Sequence, residues 1–324
     1  MIKVQPAIKN YAWGKVFPDG EASRFSNRGP IGSPVAELWY GVHSSGCSML
    51  EDGSHLDANL GVMLKVLSAK EALSIQVHPD EVSAKALHSQ DPSVYVDANA
   101  KHEAAIALTE VELLHGFRNN SDILDICSEA PELSSYLNKN GDIVSTFRSL
   151  LSLPQMQLES LNSRISERVS ANCKTPTDYL VKSLLPTYGL HDLGYAVSYL
   201  LSYKTLAPGE FVYTPPGVVH AYLKGDLVEC LTSSDNVIRV GFTEKYKDVK
   251  ACGQVLLMSS QPPTKLVAQT DSSFKLDSEG LPFELSISEV GSGVTILNDS
   301  ELSSILIASA PLLVTDNAGD KVSL

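Results

Sequence analysis

Charged side chains inside three short apolar runs between Gly209 and Asp248 constrain the fold of this chain more than any other sequence feature. The runs are typical of β-strands, because they are rich in branched and aromatic residues and are separated by Pro and Gly turn signals. His220, Glu229 and Arg239 lie within these runs or at their edges. Burying such groups without partners is costly. We therefore predict a functional site here rather than a plain core.

The strand pattern is interrupted by a helical segment at residues 119–201. The clearest helix is predicted to begin at Pro154, and apolar residues after it recur every three or four positions with charged residues on the other side. The predicted apolar face is formed by Leu158, Leu161, Ile165 and Val169. No group of residues in this segment suggests chemistry, so we interpret it as a helical insertion.

Strands, then helices, then strands again favour a mainly β protein with an inserted α-helical domain. We predict that residues 1–118 and 202–260 form one β-barrel and that residues 119–201 are inserted between its halves. Residues 261–324 alternate again and are predicted to form a separate C-terminal β domain.

The composition excludes several classes of function. The net charge of −13 argues against non-specific binding to nucleic acid or an anionic membrane, although a local basic cluster can still bind an anionic small molecule. The five cysteines lack CxxC spacing, which is typical of reduced thiols in a cytoplasmic protein. A secretory leader, a membrane-length apolar run and the GxGxxG, GxxxxGKS/T and HExxH motifs are all missing from the sequence. We therefore expect a cytoplasmic protein without nucleic-acid or membrane partners.

Candidate metal ligands come from distant strand regions. In the run Leu73–His78, alternation places Gln76 and His78 on one face, and Glu103 and His220 belong to other strands. A His/His/Glu set suits zinc, whereas an amide oxygen is a rare zinc ligand. Each residue taken singly is more often structural than a ligand. On spacing alone the remaining histidines have an equal claim, and these are His43, His55, His88, His115 and His191.

Fixed positive charges in this acidic chain are candidates for binding an anionic substrate. Lys65 lies inside an apolar run, which is unusual unless it is paired or functional, whereas solvated surface charge is the simpler interpretation of Lys245. Glu37 and Glu229 are the candidates for buried carboxylates. Each can either transfer protons or pair with a buried cation.

Several segments occur in the order and spacing of one enzyme family. They are Asn10–Lys15, Ala36–Trp39, Leu64–Leu67, Leu73–Asp80, Lys101–Thr109, Pro215–Pro216, His220–Leu223, Val228–Cys230, Ser234–Val237, Arg239 and Lys245. In these segments, and over most of its length, the chain resembles the type I phosphomannose isomerases. The resemblance implies a catalytic cupin-like β-barrel (jelly roll), an inserted helical domain and a second, shortened cupin-like barrel.

The resemblance also implies a zinc site, with one ion per chain bound by Gln76, His78, Glu103 and His220. It implies that Arg239 is the catalytic arginine. The residues expected to line the cleft are Trp13, Glu37, Lys65, Ser74, Lys101, Tyr222, Glu229, Asp235 and Lys245. Among them we expect Glu229 to move the proton, with a zinc-bound water or a histidine as alternatives. We expect Lys101, with Ser74, to hold the phosphate or the hydroxyls.

The implied reaction is the interconversion of mannose 6-phosphate and fructose 6-phosphate through an enediol(ate), which supplies mannose phosphates for GDP-mannose and glycosylation. The expected partner is the small sugar phosphate, and the expected state is a monomer. Two alternatives stay open. One is a non-catalytic cupin-type protein that binds sugar phosphates and derives from the enzyme, and the other is an iron-dependent cupin dioxygenase.

Two departures from the family pattern matter. The family usually reads His-Lys-Pro-Glu where this chain has Ala100, Lys101, His102 and Glu103. His102 could loosen the entry to the strand or place a competing imidazole near the metal. The family also usually continues beyond residue 324, so we expect a short second barrel with an exposed edge.

Overall fold

The computed structural model describes residues 2–26, 31–137, 142–256, 264–270, 273–278, 280–288, 305, 313–315 and 321–323. Strands are the main regular elements before residue 118 and after residue 200, and helices occupy most of the part between. The strands are β1 (Ala7–Lys9), β2 (Glu37–Tyr40), β3 (Val42–His43), β4 (Gly46–Cys47), β5 (Val62–Ala69), β6 (Ile75–Val77), β7 (Glu103–Ala107), β8 (Val111–Phe117), β9 (Leu201–Leu206), β10 (Phe211–Thr214), β11 (His220–Thr232), β12 (Ile238–Gly241), β13 (Thr264–Thr270), β14 (Ser273–Ser278), β15 (Ser286–Ser288), β16 (Leu313–Thr315) and β17 (Lys321–Ser323). The helices are α1 (Glu21–Ser26), α2 (Glu81–Gln90), α3 (Ile123–Glu129), α4 (Ile143–Leu151), α5 (Gln155–Ala171), α6 (Pro176–Tyr188), α7 (Gly194–Ser198) and α8 (Val249–Val255).

Strand β11 lies at the centre of the main sheet and changes neighbours along its length. Its first residues pair with β6 and β8, and its later residues pair with β5 and β7, all antiparallel. The change falls at Gly225, whose φ is 118°. A Cβ there would lie 2.5 Å from the carbonyl oxygen of Glu110, so only glycine fits. The Gly-Asp turn predicted at this point is therefore a bend within one strand.

The main sheet extends on both sides of β11. Strands β2 and β1 continue it beyond β5, and β12 continues it beyond β6. Strand β10 pairs with β7, and β9 pairs with β8. The predicted combination of a large antiparallel sheet with a helical segment is confirmed. Closure of the sheet into a jelly-roll barrel stays a prediction.

Alternation along β6, β11 and β12 separates an apolar face from a polar one. The apolar face packs against the helices in the largest core of the described residues, through Ile75, Val77, Ala221, Leu223, Ile238 and Val240. The intervening residues Gln76, His220 and Arg239 are direct neighbours across the three strands. They share the opposite face because directly paired residues in antiparallel strands point the same way. The helices therefore support the sheet from behind the polar row.

Helix α5 confirms the apolar face predicted from spacing. Leu158, Leu161, Ile165 and Val169 are all buried in the same core as the sheet residues. The helix begins at Gln155, one residue later than predicted, because Pro154 has the extended backbone of a residue that precedes a helix (φ −56°, ψ 142°). None of the helices in the described part of the chain is long and apolar enough to cross a membrane.

The C-terminal part contains a small antiparallel sheet of β13, β14 and β15, and a pair formed by β16 and β17. Leu281, Phe283 and Leu285 pack against Ala104 and Tyr213, which ties this part to the outside of β7 and β10. Residues 289–304 and 306–312 of the predicted C-terminal β domain lie outside the described residues. The prediction of a shortened second barrel with an exposed edge lies largely outside them too.

Candidate metal centre

Three of the four predicted ligands converge on the polar face of the sheet. Glu103 places Oε1 3.2 Å from Nε2 of His78 and Oε2 3.2 Å from Nε2 of His220. All three side chains are buried, each with 1% of its residue surface exposed. Donor atoms bound to zinc at about 2.0–2.1 Å in tetrahedral geometry lie about 3.3 Å apart. One donor atom from each of the three side chains lies within 4.8 Å of the others, which is close enough for all three to reach one ion.

Two atoms in this group have unmet bonding capacity. Within the described part of the chain, neither Nε2 of His78 nor Oε2 of Glu103 makes a hydrogen bond, although both are buried. Buried polar atoms without partners are rare in folded proteins. A cation between the imidazoles and the carboxylate would satisfy both atoms at once. The residues present thus fit a metal ion on the chemistry of their donor atoms.

Both histidines are oriented by hydrogen bonds on their other nitrogen. His78 donates from Nδ1 to the carbonyl oxygen of Asn236 at 2.8 Å, and His220 donates from Nδ1 to that of Val218 at 2.9 Å. Because a carbonyl can only accept, the proton sits on Nδ1 and the lone pair of Nε2 faces Glu103. The amide of Asn236 donates to the carbonyl and carboxylate oxygens of Asp97 at 2.7 and 3.0 Å. These bonds hold the carbonyl that orients His78.

Gln76 belongs to the same group by position. Its Nε2 lies 3.4 Å from Nε2 of His220, and the two residues are paired across β6 and β11. Rotating the amide by half a turn exchanges the positions of its nitrogen and oxygen without moving the rest of the side chain. That rotation brings Oε1 to the side of the ligand group. The structure thus brings all four predicted ligands together, including the one ranked lowest by its chemistry.

The structure also separates these two histidines from the others, which spacing could not do. His115 neighbours His220 across the sheet, but its Nδ1 accepts from Lys204 at 3.3 Å and its Nε2 donates to the Thr214 hydroxyl at 3.1 Å. Both of its nitrogens are therefore in use. The remaining histidines lie elsewhere: His43 contacts Asp97, His88 bonds to the Tyr95 carbonyl, and His55 and His191 are exposed.

The competing imidazole considered for His102 is not at the metal site. Its Nδ1 lies 2.8 Å from the hydroxyl of Tyr213, whose proton is donated to the Gly280 carbonyl at 2.9 Å. The backbone N–H of His102 donates to Oγ1 of Thr232 at 3.0 Å, a bond that a proline here could not make. The departure from the family pattern therefore adds hydrogen bonds outside the site instead of loosening the strand.

Replacing His102 by alanine is expected to leave metal content and turnover unchanged while lowering the free energy of unfolding by about 1 kcal/mol, the contribution of one hydrogen bond. Denaturant unfolding and metal analysis of the same preparation check both parts. Loss of metal in H102A would contradict this placement of the imidazole.

Charges around the ligands are strongly coupled. Lys101 is 3% exposed and places Nζ 2.9 Å from Oε1 of Glu103. Burial alone would raise the pKa of Glu103, but His78 and Lys101 outweigh it and hold that pKa well below its usual range. Burial lowers the pKa of His78 to about 4, against the attraction of Glu103. Burial opposes the charge on Lys101 too, yet Glu103 and Glu229 raise its pKa. At neutral pH the site therefore holds a neutral imidazole, a carboxylate and an ammonium group.

Glu229 has the opposite environment from Glu103. Its Oε1 accepts a hydrogen bond from the Tyr222 hydroxyl at 3.1 Å, and its Oε2 is 4.0 Å from Nζ of Lys65. Burial, and then the charge of Glu103, raise the pKa of Glu229 to about 7. Burial and Glu229 together raise the pKa of Tyr222 well above its usual range. A carboxyl group that titrates near neutral pH is suited to general acid/base work.

Most of the remaining predicted residues lie near the aromatic rings of Tyr11 and Trp39. Lys245 lies with Nζ 5.1 Å from the ring centre of Tyr11, which stacks on Trp13 at 5.7 Å. Burial raises the pKa of Tyr11 to about 12, and Glu37 and Asp235 add to that rise, whereas Arg239 opposes it. Glu37 accepts from the indole N–H of Trp39, over whose ring the Lys65 ammonium lies at 4.1 Å. Ser74 directly precedes β6 and is half-buried.

Sequence reasoning missed Tyr11, Trp39 and Asn236, which contact or orient predicted site residues. Tyr11 and Trp39 lie in segments that matched the family, Asn10–Lys15 and Ala36–Trp39, and that proximity was the available signal. Asn236 acts through its backbone carbonyl, so no sequence pattern could have assigned it that role.

Comparisons with known proteins agree with the geometry. Residues 1–60 and 51–120 match the family described as phosphomannose isomerase type I, catalytic domain. A probable mannose-6-phosphate isomerase of Caenorhabditis elegans is 34% identical over 298 residues, which covers 79% of this chain and 71% of that protein. The mannose-6-phosphate isomerase of Bos taurus is 33% identical over 307 residues, covering 79% of this chain and 72% of that protein.

A crystal structure shares the fold. It is that of the Salmonella typhimurium mannose 6-phosphate isomerase bound to its substrate, F6P, and to zinc. The TM-score is 0.75 at 24% sequence identity, over 90% of this chain and 83% of that chain. The mixed architecture of an antiparallel sheet with a helical segment is therefore common to both.

Proposed function

The chain belongs to the type I phosphomannose isomerase family and has its mannose-6-phosphate isomerase activity, and on this premise we propose how its own residues carry out the reaction. The observation that carries the proposal is the buried group of His78, Glu103 and His220, with two unpartnered ligand atoms beside Lys101 and Glu229. An aldose–ketose isomerase needs such a set, because it must polarise a carbonyl and move a proton between adjacent carbons.

Zinc is the ion that we assign to this group, one per chain, held by Gln76, His78, Glu103 and His220. The two imidazole nitrogens in the donor set favour zinc over magnesium or calcium, which prefer oxygen ligands only. When bound, zinc supplies a Lewis acid that polarises the substrate oxygens and stabilises the negative charge of an enediol(ate).

Arg239 is assigned to the developing negative charge on the substrate. It pairs with Gln76 across β12 and β6, so it lies on the same face as the ligand group and next to it. It is half-buried, and a guanidinium stays charged at neutral pH. Preorganised positive charge in a partly desolvated cleft stabilises an oxyanion more than the same charge in water.

Glu229 is assigned to proton transfer between C1 and C2 of the substrate. Its raised pKa lets it accept and release a proton at neutral pH. Tyr222 and Lys65 hold its two oxygens in place. A histidine base is less favoured, because His78 and His220 face the metal group and His115 uses both nitrogens for hydrogen bonds.

The remaining cleft residues are assigned to the substrate. Lys101 is anchored on Glu103 and, with Ser74, is placed to contact hydroxyls. Lys245, at the exposed end of the cleft beside Tyr11 and Trp13, is the better placed cation for a phosphate group. Glu37, Lys65, Tyr222 and Asp235 complete the lining. The sequence left open whether Lys101 and Ser74 hold the phosphate or the hydroxyls, and this proposal gives them the hydroxyls.

Replacing Glu229 by glutamine is expected to lower turnover by about 10²–10⁴-fold, the usual contribution of a positioned acid/base group. In the unmodified chain kcat should rise with pH through about 7, because a base must be deprotonated and the pKa of Glu229 is raised to about 7. This rise of kcat with pH should be absent from E229Q, while the zinc content stays the same. The exposed Glu51→Gln is the matched control. If kcat of E229Q still rises through about pH 7, another group transfers the proton.

The experiment that tests the function joins metal analysis of purified protein with a coupled assay that follows fructose 6-phosphate formed from mannose 6-phosphate. Stoichiometric zinc with turnover supports the proposal. Zinc without turnover would instead support a sugar-phosphate-binding protein, and bound iron would support the dioxygenase reading.

The finer architecture belongs to the same proposal. We propose a cupin-like jelly roll from residues 1–118 and 202–260, a helical insertion at 119–201 and a shortened second barrel at 261–324. The polar row on one face of a sheet and the helices on its other face support the first two. A cytoplasmic monomer is the proposed state. Size-exclusion chromatography with light scattering tests the monomer.

A further inference from the structure

The turn after β12 has an unusual backbone. Phe242 has a φ of 54°, in the left-handed region that bulky residues rarely adopt, and only 1% of it is exposed. It lies three residues after Arg239 and three before Lys245. Such a conformation persists only where the surroundings impose it, and it is common near functional sites.

Asp192, between α6 and α7, supplies the contacts that impose this conformation. Its Oδ1 accepts from the backbone N–H of Phe242 at 2.8 Å and from that of Gly194 at 2.7 Å. Its Oδ2 accepts from Nζ of Lys247 at 3.0 Å, and the same ammonium donates to the carbonyl of Thr243 at 2.8 Å. Asp192 is fully buried. One carboxylate of the helical segment therefore holds both ends of the turn Phe242–Lys247.

Packing leaves this arrangement little freedom. The ring of Phe242 lies between Tyr188 and Tyr195, with centroids 6.4 and 6.0 Å away. A Cβ on Gly241 would lie 2.5 Å from the backbone of Gly194, and one on Gly194 would lie 2.5 Å from the Phe242 ring. Only two glycines allow the chains to approach this closely. The turn is thus fastened to the helices by charge, hydrogen bonds and shape.

Lys245 depends on this turn for its position. It is only partly covered by the rest of the protein, so packing alone does not fix it, and its backbone N–H donates to Oγ1 of Thr243 at 3.1 Å within the turn. Its ammonium lies over Tyr11 at the rim of the cleft. Partial burial, and then the positive charge of Arg239, lower the pKa of Lys245. The two cations are therefore close enough to repel each other.

We propose that Asp192 is a positioning residue for the isomerase: it holds the turn Phe242–Lys247 so that Lys245 faces the substrate cleft beside Arg239. The proposal rests on the proposed function, in which Lys245 binds the phosphate. The helical segment, which carries none of the predicted site residues, then acts on substrate binding through the Asp192 carboxylate. A purely structural Asp192 would affect stability but not the affinity for substrate through Lys245.

The test compares Asp192→Asn, Lys245→Met and the double variant. In D192N the amide can still accept from Phe242, but its NH2 group cannot pair with the Lys247 ammonium. We expect KM for mannose 6-phosphate to rise about tenfold in D192N, with kcat within about threefold and zinc content unchanged. K245M should show a similar rise. The double variant should be no worse than K245M, because both changes remove the same interaction.

A second variant keeps the test decisive if D192N fails to fold. Lys247→Met removes only the partly exposed cation and should also raise KM about fivefold to tenfold, whereas the exposed Lys250→Met is the matched control and should change nothing. Thermal unfolding of each variant separates stability from affinity. Additive effects in the double variant, or an unchanged KM in D192N and K247M, overturn the proposal for Asp192. An unchanged KM in K245M overturns the phosphate role of Lys245 first, and the positioning role with it.

Discussion

Replacing His220 by alanine is expected to remove both the metal and the activity. His220 contributes an Nε2 3.2 Å from Glu103, and its loss leaves a buried carboxylate and His78 with one imidazole fewer around the ion. Zinc content should fall to a small fraction of one ion per chain. Turnover should fall by at least about a thousandfold, which corresponds to about 4 kcal/mol in the barrier.

The same variant should also be less stable, because an ion bound only by the folded chain stabilises it. The ligands lie on or directly beside β6, β7 and β11, so one ion ties together three strand regions that are distant in sequence. The midpoint of thermal unfolding should rise on adding zinc to the unmodified chain and stay unchanged on adding zinc to H220A. The matched control is His55→Ala, because His55 is exposed and lies outside the ligand group. An H220A protein that keeps zinc and turnover would show that this histidine is not a ligand.

Replacing Arg239 by alanine is expected to separate metal binding from catalysis. Arg239 neighbours Gln76 across the sheet, and its guanidinium has only hydrogen-bond donors and no lone pair to offer a metal ion. Zinc content should therefore remain that of the unmodified chain. Turnover should fall by about 10²–10³-fold, the usual effect of removing one group that stabilises a developing oxyanion. Metal analysis and steady-state kinetics on one preparation measure both.

Two further variants sharpen the Arg239 result. Arg239→Lys keeps the charge without the planar fork and should recover part of the lost turnover. The exposed Arg164→Ala on α5 controls for loss of a positive charge elsewhere. If R239A instead releases zinc, the guanidinium supports the metal group and the division of roles is wrong.

Sequence alone located the region of the site correctly because burial of charge is a local signal. His220, Glu229 and Arg239 looked misplaced within apolar runs, and the structure places all three near the ligand group or facing it. Alternation also predicted the faces of β6 and α5, since the periods of 2 and 3.6 residues depend only on backbone geometry. These features needed no knowledge of the tertiary fold.

Sequence could not choose the ligands by spacing, because Glu103 and His220 meet only through the pairing of β7, β10 and β11. His115 has the same residue type and a neighbouring position, and it is distinguished from His220 only by its partners Thr214 and Lys204. The resemblance supplied this choice instead. It remains a prediction until the metal is measured.

From the sequence, the helical segment was interpreted as an insertion without chemical residues. The contacts of Asp192 with the turn Phe242–Lys247 show what that interpretation missed. Asp192 reaches the site through backbone N–H groups and a turn fifty residues later. Neither a hydrogen bond to a main chain nor a positive φ at Phe242 leaves a trace in residue types or periodicity. Such links become visible only when the segments are placed in space.

The bend of β11 at Gly225 has a consequence for any attempt to transplant this chemistry. Tyr222 and Glu229 are seven residues apart on one strand, which in a straight strand means about 23 Å. Their side chains nevertheless meet in a hydrogen bond of 3.1 Å. One bent strand thus carries His220 of the ligand group together with Tyr222 and Glu229, the pair proposed for proton transfer. If the sequence of β11 were grafted onto a flatter sheet, every residue would be kept but Tyr222 and Glu229 would no longer meet. A design must therefore transfer the bent strand together with Gly225.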